Sequence, residues 1–149
     1  MSELRELYQS VILDHNRSPR NRGPVPGANR RAEGHNPLCG DHVVVQARVA
    51  DDRIEAVGFE GRGCAISTAS ASLMTEAVKG RSSAEVEKLF EEFRQLVTSD
   101  PTREAPVGGL GKLAVFSGVR EFPLRVKCAT LCWHALQAAL EGRSEVSTE

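Results

Sequence analysis

Leu4, Leu7, Tyr8, Val11 and Ile12 recur at the three- and four-residue spacing that gathers side chains on one face of a helix, so residues 3–15 are predicted as an amphipathic helix ending in the region of Pro19. A polar stretch follows. Residues 16–37 are rich in proline, glycine and arginine, which predicts a connector without regular structure apart from a short edge strand near Ala32. The period then changes: Val43–Val49 and Arg53–Phe59 are β-branched runs on either side of Ala50-Asp51-Asp52, a hairpin signal. Helical spacing returns over residues 65–79 with Ile66, Ala69, Leu73 and Ala77. Ser82-Ser83-Ala84-Glu85 has capping-box spacing and opens a further helix through about Leu96, with Val86, Leu89, Phe90 and Phe93 on one face. The glycine-punctuated segment 107–119 reads as an ordered loop with a short helical turn. Pro123 starts a last helix to about Leu140, stopped by Gly142, and residues 143–149 read as a flexible tail. The elements add up to one α+β domain over residues 1–142, a small antiparallel β-sheet with helices packed on it and no internal repeat.

Cysteine placement adds chemistry to that frame. Three segments far apart in the chain, Asn36-Pro37-Leu38-Cys39-Gly40-Asp41, Gly61-Arg62-Gly63-Cys64-Ala65-Ile66-Ser67 and Arg125-Val126-Lys127-Cys128-Ala129-Thr130-Leu131-Cys132, present thiols in special backbone contexts. A chain of 149 residues buries a core without disulfides, so its cysteines need another reason. The beginning of the chain lacks a basic, apolar secretory signal and no apolar run is long enough to span a membrane, which predicts a cytoplasmic protein. In that reducing compartment cysteines serve metals or catalysis more often than disulfides. A formal net charge of -1 and 5% aromatic residues argue against a nucleic-acid partner, since neither an electrostatic footprint nor a stacking platform is present.

Cys39 precedes the first hairpin strand and Cys64 follows the second, so antiparallel pairing brings both to one edge of the sheet. Cys64 also begins a helix, whose unpaired N–H groups and dipole stabilise a thiolate. Three thiolates from Cys39, Cys64 and Cys128 and the Asp41 carboxylate can close a tetrahedron around zinc. Each residue has a plainer reading beside this one. The three cysteines could be buried apolar thiols, Asp41 could cap a turn, and Lys127 could be a solvated helix residue instead of a charge that offsets the site or steers a partner. Cys132 shares a helical face with Cys128 and is an accessory candidate, with a packed core position the favoured reading. His15, His35, His42 and His134 read as structural or exposed, and the arginines between Arg17 and Arg31 as a solvated loop or a second docking surface.

Leu7-Tyr8-Gln9-Ser10-Val11-Ile12-Leu13-Asp14-His15 followed by Pro19-Arg20-Asn21, together with the Cys39, Cys64 and Cys128 motifs in that order, resembles the SufU branch of the IscU-like (NifU N-terminal domain) iron–sulfur cluster assembly proteins. Lys127 stands where IscU scaffolds carry a histidine, and the 64-residue step from Cys64 to Cys128 accommodates an insertion, residues 105–123, that such scaffolds lack. The resemblance implies a zinc-dependent sulfurtransferase with zinc on Cys39, Asp41, Cys64 and Cys128. Its implied partner is a SufS-type, pyridoxal-phosphate-dependent cysteine desulfurase. A histidine of the desulfurase is expected to replace Cys39 on the metal, and Cys39 then accepts persulfide sulfur and passes it toward a SufBCD scaffold. Two further readings stay open: a scaffold building a transient [2Fe-2S] cluster on the three cysteines, with iron in place of zinc, and a structural zinc module using all four.

Overall fold

The computed structural model describes residues 2–37 and 40–147. Its elements run α1 (Ser2–Arg17), β1 (Arg30–Asn36), β2 (Asp41–Ala50), β3 (Arg53–Arg62), α2 (Ala65–Val78), α3 (Ser83–Thr98), a 3₁₀ segment (Gly111–Glu121), α4 (Pro123–Leu140) and β4 (Glu145–Ser147). The four strands form one sheet in the order β3-β2-β1-β4, and the architecture is α+β. No helix among the described residues is long and apolar enough to cross a membrane.

The β2–β3 hairpin turns at Asp51 and Asp52, both left-handed at φ 52° and 58°, as a tight turn matched to strand twist requires. Along β1 and β2 burial alternates, Ala32, Gly34, Asn36, Asp41, Val43, Val45 and Ala47 facing inward. Helices α2 and α4 cover that inner face, and Trp133 of α4 stacks on Phe90 and Phe93 of α3 at centroid distances of 5.7 and 5.2 Å. The capping box at Ser82 is formed as its spacing predicts, with Ser82 Oγ accepting from the Glu85 N–H.

Three differences from the sequence reading have physical causes. β1 is an interior strand of seven residues, not a short edge strand. Its inward positions are small, and a Cβ on Gly34 would stand 3.1 Å from Leu131 Cδ1 and 3.2 Å from the Ala135 Cβ, so the strand is shaped for close approach of α4 and carries little β-propensity. Residues 145–147, expected in a flexible tail, add β4 parallel to β1, which makes the sheet mixed: Val146 packs against Ala32, Ala138 and Ala139. The glycine-rich segment is more regular than a loop, with Leu113, Val115, Phe116 and Val119 buried.

The outer edge of β3 is closed by two loops. Ile54 N–H donates to Arg81 O (3.0 Å) and Gly80 N–H to Ile54 O (2.7 Å), while Phe59 N–H donates to Asn21 O (3.2 Å) and Gly23 N–H to Phe59 O (2.8 Å).

Candidate metal centre

Register decides what meets at the end of the hairpin. His42 pairs with Arg62, so Asp41, the first residue of β2, and Cys64, two residues past β3, lie at the same end of the sheet. Gly63 makes the approach tight. A Cβ there would lie 3.0 Å from Asp41 Oδ1 and 2.9 Å from Ser67 Oγ, so any side chain at this position would push the carboxylate or the hydroxyl aside. Cys64 is the N-cap of α2: its Sγ accepts the Ser67 N–H at 3.4 Å, and its own N–H donates to Asp41 Oδ1 at 3.1 Å. Helix α4 brings Cys128 to the same place, and Ser70 Oγ of α2 holds the two helices in alignment by donating to Ala129 O at 2.5 Å.

Asp41, Cys64 and Cys128 consequently offer one oxygen and two sulfurs within 4.8 Å of one another, with Asp41 and Cys128 buried and Cys64 exposed. Cys39 lies outside the described residues, two positions before Asp41 in the chain. The described ends of its connection are tied together by Gly40 N–H donating to Asn36 O at 2.9 Å. Burial pushes the Cys128 thiol far above its ordinary value, and its hydrogen bond to Asp41 and the neighbouring Cys64 add to the rise. These donors crowd like charges in a desolvated place, and a divalent cation inverts that balance by holding the thiolates deprotonated. Donors about 3.5–4 Å apart are what tetrahedral zinc with Zn–S near ~2.3 Å requires, a small adjustment from this spacing.

Cys132 is not part of the cluster. It is 1% exposed, its Sγ lies 3.5 Å from Ser70 Oγ, and burial pushes its thiol up to about 12, so it packs as core. Lys127 is half-buried on α4 and makes no ion pair among the described residues. The histidines separate by role. His15 Nδ1 meets Ser72 Oγ at 2.7 Å and fastens α1 to α2; His134 packs edge-on to Phe90; His35 and His42 sit on the outer face of the sheet. Of the arginines, Arg20 pairs with Asp14 at 2.7 Å and Arg31 with Glu33 at 3.3 Å. Ser67 and Ser70 were missed by the sequence reading; the Cys64-x-x-Ser67 spacing was the available signal for the capping contact.

The family model for the NifU-like N terminal domain matches residues 7–141. The chain belongs to this NifU-like family. It is 38% identical over 143 residues to the iron–sulfur cluster assembly scaffold protein IscU of Streptococcus pyogenes serotype M1, covering 95% of this chain and 87% of that protein. It is 39% identical over 139 residues to the zinc-dependent sulfurtransferase SufU of Bacillus subtilis (strain 168), covering 91% and 90%. A crystal structure of a putative iron–sulfur cluster assembly scaffold protein for the SUF system from Fervidobacterium islandicum AW-1 superposes with a TM-score of 0.79 at 33% identity, covering 87% of this chain and 93% of that one. Two of these relatives are named as iron–sulfur cluster assembly scaffolds and the third as a zinc-dependent sulfurtransferase.

Proposed function

We propose that the protein is a cytoplasmic, zinc-dependent sulfur-transfer protein of iron–sulfur cluster assembly that accepts persulfide sulfur from a SufS-type cysteine desulfurase and passes it toward a SufBCD scaffold. The observation that carries this reading is the convergence of the buried Asp41 carboxylate with Cys64 and Cys128, an oxygen-and-sulfur donor set that suits zinc and leaves one tetrahedral position for Cys39. When bound, zinc would keep the thiolates deprotonated while curbing their nucleophilicity.

The residues divide the work. Asp41 is fixed by the Cys64 N–H, Cys64 by the start of α2, and Cys128 by its place within α4. Cys39, in the connection between β1 and β2, is the donor whose departure costs least, and we assign it as sulfur acceptor. Its thiolate attacks the outer sulfur of the partner's persulfide, a new S–S bond forms on Cys39, the partner's S–S bond breaks, and the partner's cysteine leaves as thiolate with no net oxidation. Phe122 and Leu124, 47% and 69% exposed on the approach to Cys128, supply apolar surface for that docking, and Arg125 lies over the Phe122 ring at 4.4 Å.

The test measures alanine and sulfide release by the desulfurase with and without the zinc-loaded protein and its Cys39→Ser variant. Stimulation by the wild type alone, with an added sulfur found by mass spectrometry on the Cys39 peptide, is expected; no stimulation sinks the proposal. The scaffold reading is kept open by the IscU-named relative. Charge-transfer absorption after reconstitution with iron and sulfide would favour it, because zinc is spectroscopically silent.

A further inference from the structure

The sheet face turned away from α2 and α4 carries a second group of ligand side chains that the sulfur site does not use. Antiparallel register places His35 of β1 opposite His42 of β2, and parallel register places Glu33 of β1 opposite Glu145 of β4. Because these positions alternate with the inward residues Gly34, Asn36 and Asp41, all four side chains project to the outer face. The two imidazole centroids are 6.4 Å apart and His42 Nε2 lies 3.9 Å from Glu33 Oε1. Glu33, His35, His42 and Glu145, with Val146 and Ser147, line an open cavity of about 480 Å³.

Physical chemistry gives this arrangement a purpose. Directly opposed imidazoles on antiparallel strands have Cβ atoms about 5 Å apart, within chelating reach after side-chain rotation, and exposed side chains rotate without disturbing a core. Glu33 opposite Glu145 sets two like charges against each other, an unfavourable pairing that a cation between them would relieve. Arg31, 3.3 Å from Glu33 Oε1, provides part of that relief. Two imidazoles and a carboxylate are a borderline-soft set that prefers Zn²⁺, Ni²⁺ or Cu²⁺ to Mg²⁺ or Ca²⁺, with water completing the shell.

We propose that Glu33, His35 and His42, with Glu145 alongside, form a second divalent transition-metal site on the outer face of the sheet, separate from the Asp41, Cys64 and Cys128 cluster. His35 and His42 lie on either side of the β1–β2 connection in the chain, with Asp41 the residue before His42, so an ion there staples the base of that connection from the opposite side of the sheet. The site uses none of the side chains of the sulfur-transfer proposal, and only the count of two zinc ions rests on a first zinc being held at Asp41, Cys64 and Cys128.

The test titrates zinc by calorimetry into protein already holding its first zinc, and counts bound metal by elemental analysis. Wild type is expected to show a second binding event and about two zinc ions per chain, and the His35→Ala, His42→Ala double variant about one. Cobalt(II) in the second site should add ligand-field bands with no increase in thiolate charge transfer, which identifies nitrogen and oxygen donors. Arg31→Ala should tighten the second event by about two- to five-fold, the worth of one competing surface ion pair. Saturation of wild type at one zinc, a second ion retained by the double variant, or new thiolate charge transfer would each overturn the assignment.

Discussion

Asp41 and Cys132 lie near the same helices and were both candidates for the metal, yet their surroundings predict opposite outcomes on substitution. Asp41→Ala removes a buried oxygen of the candidate donor set and the acceptor of the Cys64 N–H, so zinc should be released at far lower chelator concentration. Cys132→Ser places a hydroxyl in a fully packed position beside Ser70 and should cost about 1 kcal/mol in urea unfolding while zinc content stays unchanged. Zinc loss in the serine variant would return Cys132 to the ligand set. Asp41, Cys64 and Cys128 were legible as candidate ligands because coordination chemistry is a property of residue identity, cysteine, histidine, aspartate and glutamate being the side chains that hold zinc, and the structure brings these three together. What Gly63 faces was not. Asp41 approaches its Cα from 22 residues away in the chain, and no local pattern announces that neighbour.

Elements with strong local signals formed where the sequence places them. The capping box of α3 is the clearest: Glu85 Oε1 accepts the Ser82 N–H at 2.9 Å while Ser82 Oγ accepts the Glu85 N–H at 3.2 Å. Ser82→Ala should therefore cost about 1 kcal/mol, with amide exchange quickening first in the initial turn of α3; an unchanged unfolding midpoint would mean that tertiary packing alone holds that end. β1 and β4 were poorly legible for the reverse reason. Arg30–Asn36 holds alanine and glycine where a strand usually shows branched residues, and its stability comes from β2 on one side and α4 beneath. Glu145–Ser147 has a single apolar residue, Val146, and becomes a strand only because β1 is already there to pair with it. The 3₁₀ segment likewise takes its regularity from burying Leu113, Phe116 and Val119, which glycine content alone conceals.

At the scale of the whole molecule, stability should depend on pH through His15. This imidazole is 3% exposed, and burial holds it below its ordinary value of 6.5, with Arg20 contributing. The unfolded chain then takes up the proton first as pH falls, so His15 contributes fully above about 6.5 and its contribution is lost through the window below, until the folded form also protonates. With metal chelated, unfolding free energy should fall with a slope of at most about 1.4 kcal/mol per pH unit from this residue, and His15→Gln should flatten the profile between neutral pH and 5.5 or so. Equal slopes in the two proteins would assign the acid sensitivity elsewhere. The α+β class was legible because it follows from the order of helical and strand periods, whereas the mixed sheet was not, since parallel pairing of β4 joins residues more than a hundred positions apart. The loops that close β3 have a bearing on recognition. With Ile54 bonded to Gly80 and Arg81, and Phe59 to Asn21 and Gly23, that margin has its main-chain groups engaged at both ends, and the opposite margin is a strand of three residues. A visiting protein finds little backbone to extend by adding a strand of its own, so contact falls to side chains and helix ends, the kind of surface from which a partner can detach without unpicking a sheet.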